Sequence, residues 1–249
     1  MVIKTIFLSK LNHLFSSLPS PDISTLQKLN DIFFKYLWMD KPDKIIRDVT
    51  TMGFSMGGLK MTHLENHIIA VKARWINRLL CTTSPWVNLF QATILNDLKQ
   101  ITDFGPNYGN FLKLKTSNVF WIDVLTAWTK LTNQLKIQSN LQLASTPIWY
   151  NKKLTTEIMF LPKLYKKGIA MVSDVIDSEG KMLTRQMLKS HYNLDSLNFL
   201  EYIQLSTVIS KFIKKNKNVE FQKIIGPIMP TNRWMLTRNT TKRLLSNII

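Results

Sequence analysis

Apolar residues in this chain return every three or four positions, segment after segment, and that period commits most of it to helix. In residues 2–18 they fall at Ile3, Phe7, Leu11, Leu14 and Leu18. Pro19 and Pro21 stop that helix, and Asp22 is placed to cap a second one carrying Ile23, Leu26, Leu29, Phe33 and Leu37, so the pair forms a helical hairpin. The first pattern starts with no Ser, Thr, Asp or Asn ahead of it, as expected of a chain cut from something longer. Thr62-His63-Leu64-Glu65 has capping-box spacing and opens a helix with Leu64, Ile68, Val71, Trp75 and Leu79 on one side. Ser84-Pro85 opens another, and residues 117–136 form one with Phe120, Val124, Ala127 and Leu131 inward. Further helices are expected over 165–177, 184–192, 197–213 and 232–249.

Two stretches break the period. Gly53 and Gly57-Gly58 punctuate short apolar runs, which predicts a small β-hairpin near 50–61. Ile148-Trp149-Tyr150, a polar Asn151-Lys152-Lys153 turn and Ile158-Met159-Phe160 predict another over 147–161. The expected class is therefore mainly α, an irregular helical assembly with one or two small β-hairpins. A boundary near 81–85 divides residues 1–82 from 83–249, and no internal repeat or low-complexity segment occurs.

Charge narrows the partner. The chain has 249 residues, with 33 Lys and Arg against 16 Asp and Glu, a net charge of +17. Such an excess points to a polyanion, most often nucleic acid, or to an anionic membrane surface. Residues 1–80 carry 11 basic and 6 acidic groups, 81–200 carry 13 and 8, and 201–249 carry 9 and 2, so the charge is spread rather than held in a tail. Cys81 is the only cysteine, which excludes an intramolecular disulfide and a cysteine-based zinc site. No apolar run approaches the ~18–20 residues of a membrane span. MVIKTIFLSK lacks the uninterrupted apolar stretch and cleavage site of a signal peptide, so a nuclear or cytoplasmic, non-secreted protein is expected.

Catalytic patterns are missing. Two-metal polymerase chemistry needs clustered carboxylates, and no Asp-Asp pair occurs. Asp40/Asp43 and Asp174/Asp177 read as solvated or capping groups. His63 and His67 sit four apart, but H-L-E-N-H is not the zincin order, and they read as surface or capping histidines. Cys81 reads as apolar packing at a helix end. Gly57-Gly58 lacks the Gly-Lys-Ser/Thr of a phosphate loop and reads as a tight turn. No metal or cofactor is expected.

The positive signal is basic residues interleaved with aromatics. Lys72, Arg74 and Arg78 flank Trp75; Lys163, Lys166 and Lys167 flank Tyr165; Lys211, Lys214, Lys215 and Lys217 crowd one helix end; Arg233, Arg238, Lys242 and Arg243 accompany Trp234. Lys and Arg neutralise phosphates, and exposed aromatics stack on unpaired bases. Trp75, Trp121 and Trp128 have helical spacings that favour core.

Val2-Ile3-Lys4-Thr5, Leu8-Ser9-Lys10-Leu11, His13-Leu14 and Leu18-Pro19-Ser20-Pro21 resemble the thumb helix and its exit in LINE-type non-LTR retrotransposon reverse transcriptases. Phe33-Phe34-Lys35-Tyr36-Leu37-Trp38, Lys41-Pro42-Asp43-Lys44-Ile45, Gly57-Gly58-Leu59-Lys60-Met61, Ala73-Arg74-Trp75-Ile76 and Arg78-Leu79-Leu80 continue the likeness. Phe120-Trp121 with Asp123-Val124-Leu125, Pro147-Ile148-Trp149-Tyr150-Asn151 and Gly168-Ile169 with Asp174 resemble the region after the polymerase domain. The resemblance spans roughly residues 1–213. It implies a thumb-like segment over 1–82 and a post-polymerase helical region over 83–249. The family's endonuclease, fingers, palm and catalytic aspartates have no counterpart here, nor does the Cys/His-rich knuckle of many members.

The expected function is non-catalytic binding of RNA or an RNA–DNA hybrid, alongside other parts of a reverse transcriptase. The expected contacts are Lys41, Lys44, Arg47, Lys60, Lys72, Arg74, Arg78, Lys166 and Lys167, with Lys211, Lys214 and Lys215 as a secondary patch. Alternatives are a helical protein-interaction module, a degenerate element copy without function, or a peripheral binder of anionic membranes.

Overall fold

The computed structural model describes residues 6–94, 97–134, 143–157, 159–177, 179–194 and 197–216. The expected helix over 232–249, Lys217 and the first five residues lie outside these.

The described residues are mainly helical. Helix α1 (Leu8–Ser17) and α2 (Ile23–Trp38) form the expected hairpin, followed by a short α3 (Arg47–Thr51). Then come α4 (Leu64–Cys81), α5 (Pro85–Thr93), α6 (Lys99–Asp103), α7 (Tyr108–Lys113) and α8 (Val119–Gln134). The last three are α9 (Pro162–Lys166), α10 (Arg185–Tyr192) and α11 (Phe199–Lys215). No helix among the described residues is long and apolar enough to cross a membrane.

Helix α4 is the shared beam of the fold. Its first turns send Leu64, Ile68 and Val71 into a small cluster with Leu8 and Phe15 of α1 and Phe33 of α2. Its later turns send Ala73, Ile76 and Leu79 into the main core with Val87, Phe90, Val124, Leu125 and Leu131. Ala70 and Ala73 are wholly buried, and such small side chains let neighbouring helices approach closely. The boundary expected near 81–85 thus falls at the end of a helix whose residues serve both clusters. Each fully buried Leu or Ile contributes about 1.5–3 kcal/mol of apolar burial. Helix α7 lies against α8, where a Cβ on Gly109 would run into Thr129 Oγ1. Leu205, Ile209 and Phe212 bring α11 onto the same core.

Helix α1 is turned relative to its expected face. Leu8, Leu11 and Phe15 point inward, whereas Phe7, Leu14 and Leu18 are exposed. The i, i+3, i+7 stripe meets α4, while Phe7 instead leans on the rings of Phe33 and Tyr36 at 6.5 and 5.4 Å. The cap of α4 also shifts by one residue. His63 Nδ1, not Thr62, accepts the amide of Asn66, and Glu65 reaches Lys130 at 3.4 Å.

Neither hairpin forms as paired strands. Residues 47–51 coil into α3, and Phe54–Met56 make one tight turn closed by Gly57 at φ +78°. The amides of Leu59 and Met61 then both reach the Thr50 carbonyl. In the second region Asn151 bends the chain on itself: its Nδ2 donates to Pro147 O and its Oδ1 accepts Lys153 N. Pro147 bridges Met171 and the Ile148 amide reaches Ala170 O, so that of the expected pairing the Tyr150 amide's bond to Met159 O is the part present among the described residues. The helix expected over 165–177 ends instead at Lys166, because Gly168 at φ +93° takes the left-handed position that terminates helices. Beyond it Asp174 is buried, and its carboxylate accepts the Ala170 and Met171 amides.

Asp22 sits at the start of α2 but its side chain accepts no helix amide as a cap, whereas other helix starts are capped by side chains. Thr184 Oγ1 accepts the Met187 amide at the start of α10. Asn198 and Glu201 form a reciprocal capping box for α11, and Asn118 Oδ1 accepts the Phe120 and Trp121 amides ahead of α8.

Candidate nucleic-acid interface

The expected contacts fall on separate elements with different surroundings. Arg74 and Arg78 are exposed one turn apart on α4, and the Arg78 guanidinium lies 4.7 Å over the Trp75 ring. That stacking holds the planar group while its N–H edges stay open to an anion. No carboxylate among the described residues pairs with either arginine.

Lys72 is corrected by its burial. It is 1% exposed, donates to the Leu18 carbonyl, and holds its ammonium 4.5 Å from the Phe120 ring. Desolvation lowers its pKa, and the Asp123 carboxylate partly opposes that shift. Two neighbouring contacts complete this joint: Trp75 Nε1 donates to Ser16 O at 2.8 Å, and Ser20 N donates to Asp123 Oδ2. Lys72 therefore clamps the exit of α1 onto α4 and α8, and it offers no charge to a surface ligand.

Arg47 is exposed, but its guanidinium already has acidic partners. It is bonded to Asp43 at 2.7 Å and Asp31 at 2.6 Å, and it lies 4.6 Å over the Phe34 ring. The hydrogen bond to Asp43 first, then that to Asp31, raises its pKa. Its charge is already met by two carboxylates. Lys41, Lys44 and Lys60 nearby are exposed, and Lys60 takes a left-handed φ of +53°.

Lys166 and Lys167 are exposed at the end of α9. Lys167 Nζ donates to Asn193 O at 2.9 Å, linking this end to the last turn of α10, which carries Lys189 and His191. Lys211, Lys214 and Lys215 are all exposed within the last two turns of α11, off the stripe of buried Leu205, Ile209 and Phe212. No carboxylate among the described residues pairs with these three.

Sequence reading passed over two places where aromatics and cations meet. Trp86 joins Trp75 and Trp121 in a half-buried group, which the Ser84-Pro85 helix start could have flagged by placing it in the first turn of α5. Lys115 lies 5.0 Å over the exposed Phe111 ring, a spacing of four along the chain. Trp128 is buried as its periodicity predicts, whereas Trp75 and Trp121 are only partly buried.

The histidines and the cysteine have local roles. His63 caps α4, and the buried His67 bonds Asn12 Oδ1 at 2.6 Å. Cys81 is exposed, contrary to the apolar packing expected, and faces Asn77 Oδ1 at the end of α4. Among the described residues no three His, Cys, Asp or Glu side chains gather to hold a metal ion. The chain matches no known protein family, no characterised protein and no solved structure at a significant level.

Proposed function

We propose that this chain is a non-catalytic, RNA-binding piece similar to the C-terminal part of a LINE-type reverse transcriptase. It would hold RNA or an RNA–DNA hybrid through basic helical surfaces, in the nucleus or cytoplasm, while a polymerase in the same enzyme extends a primer at a nicked target. The observation that carries this reading is the +17 charge, of which Arg74, Arg78, Lys166, Lys211, Lys214 and Lys215 stay exposed without a carboxylate partner among the described residues. The ordered landmarks over residues 1–213 support the family assignment. Fluorescence anisotropy with labelled RNAs of unrelated sequence tests it. Binding should vary little with sequence and weaken steeply between ~50 and ~200 mM salt. Tight binding indifferent to salt would contradict it.

A second reading, a protein-interaction module, is favoured by one observation. Ile32, Tyr36 and Met39 are exposed along α2 and its end, and Ile46, Phe54 and Met56 are 67–74% exposed in the segment that follows. Large apolar patches often mark partner sites. Sedimentation of the purified chain without RNA tests this: self-association or capture of a defined partner supports it, and a monomer that binds only RNA excludes it.

A further inference from the structure

Trp86 and Trp121, packed beside Trp75, do not sit like tryptophans that serve only a core. Trp149 shows what that looks like here: it is wholly buried, and its Nε1 donates to Ile169 O at 2.7 Å. Trp86 and Trp121 are instead half-buried, and neither indole N–H makes a hydrogen bond among the described residues. A buried indole N–H finds a protein partner, so these two N–H groups lie at a wet edge of the packing. Trp75 forms the floor, its ring edge-on to Trp86 at 5.5 Å and to Trp121 at 6.2 Å. Trp86 and Trp121 lie nearly parallel, 20° apart, with centroids at 6.1 Å, and Trp121 rests on buried Phe90 at 4.4 Å. The group is thus a fixed aromatic shelf at the junction of α4, α5 and α8.

Its charged border is basic. Arg78 is already stacked on Trp75, and Arg74 lies one turn before it on the same face of α4. The carboxylate nearest in sequence to Trp121 is Asp123, which accepts the Ser20 amide and attracts Lys72, so it is occupied. A flat aromatic surface beside two open guanidinium groups matches a nucleotide, with its base on the shelf and its phosphate on the arginines.

We infer that Trp86 and Trp121, joined through Trp75 to Arg78 and to Arg74 one turn earlier on α4, form a stacking platform for unpaired bases, which makes single-stranded RNA the substrate class of this site. The inference rests on the RNA-binding reading above and names the form of RNA. The base stacks on the outer face of Trp86, with Trp121 behind it on Phe90, rather than between the two, because intercalation needs about twice the ~3.5 Å contact spacing and the offset pair lacks that gap. Paired bases in a duplex cannot present that face, so duplex RNA contacts only the cations.

The test compares a uridine oligonucleotide with a fully paired RNA duplex of equal length, on the full chain. The single strand should quench tryptophan emission of the unaltered protein, and the duplex should not. Trp86→Leu should weaken single-strand binding roughly 5- to 100-fold, while duplex affinity stays within about twofold; Trp86→Phe, which keeps a stacking face, should retain most of the affinity. Equal losses on both RNAs together with a lowered melting midpoint would mean a structural role and overturn the platform. If both RNAs bind and neither quenching nor the Trp86→Leu loss is seen, the platform fails while the RNA reading stands. If neither RNA binds, both fall. Quenching is read on the unaltered chain, so it decides the matter even if the leucine variant does not fold.

Discussion

Lys72 separates burial from binding, and two substitutions there have opposite expectations. In Lys72→Met the apolar stem is kept and the charge removed. The loss is one charge-assisted hydrogen bond to Leu18 O, worth about 1.5–3 kcal/mol, and one cation–π contact with Phe120, worth about 0.5–2 kcal/mol. The gain is release of an ammonium whose pKa burial has pushed down, and replacing buried charge with apolar volume is often neutral or better. These terms oppose each other, so Lys72→Met should change stability by less than about 1.5 kcal/mol. Lys72→Ala also deletes three methylenes at ~0.8 kcal/mol each and leaves a void, so it should cost about 2–4 kcal/mol. The pH dependence follows from the lowered pKa. Between that value and the ordinary lysine 10.5, the unfolded chain binds more protons than the folded one, so wild-type stability gains with rising pH. In Lys72→Met that alkaline gain should be absent. Urea unfolding from pH 7 to 10 measures all of this, and RNA affinity measured in parallel should not change for Lys72→Met. A methionine variant that folds normally yet loses RNA affinity as Arg74→Gln does would refute the buried clamp.

Other consequences are direct. Gly109→Ala should cost about 1–3 kcal/mol, despite alanine's helix preference, because its Cβ meets Thr129 Oγ1 across the α7–α8 contact; thermal melting checks it. Asn198→Ala should lower stability by about 1 kcal/mol through loss of the α11 capping box, and the double variant with Glu201→Ala should lose less than the sum of the two single losses. The Asp22 carboxyl, held down to about 2 mainly by the Ser24 hydroxyl, supports the α1–α2 turn above pH ~4. Its contribution should fade as pH drops from about 4 to 2, and an acid titration of Asp22→Asn should lack that component.

Helix positions were legible where the period is strong, as at 184–192, 197–213 and 119–134, while the Asn118 and Asn198 caps were not read from the sequence. Positions were misread where one backbone residue overrides periodicity. Gly168 ends α9 after one turn, and Asn151 folds back on Pro147 O, where Pro147 bridges Met171 and, among the described residues, only the Tyr150 amide reaches Met159. The buried face of α1 was also misassigned, since Leu8, Leu11 and Phe15 compete with Phe7, Leu14 and Leu18 at equally helical spacing. Only the position of α4 decides between them. Among the basic residues, composition located the charge but not its partners. Lys72 and Arg74 are two apart, and one is enclosed beneath the α1 exit while the other is exposed. Arg47 is met by Asp31, sixteen residues away, a pairing that no local spacing encodes.

If exposed basic side chains grip the phosphates of RNA, the slope of log affinity against log salt for a single-stranded RNA reports how many of them do so. The double variant Arg74→Gln/Arg78→Gln, compared with the unaltered chain, should flatten that slope by about 1.4, two phosphate contacts at ~0.7 each, while melting at an unchanged temperature. An unaltered slope, with binding as strong as in the parent chain, would contradict it.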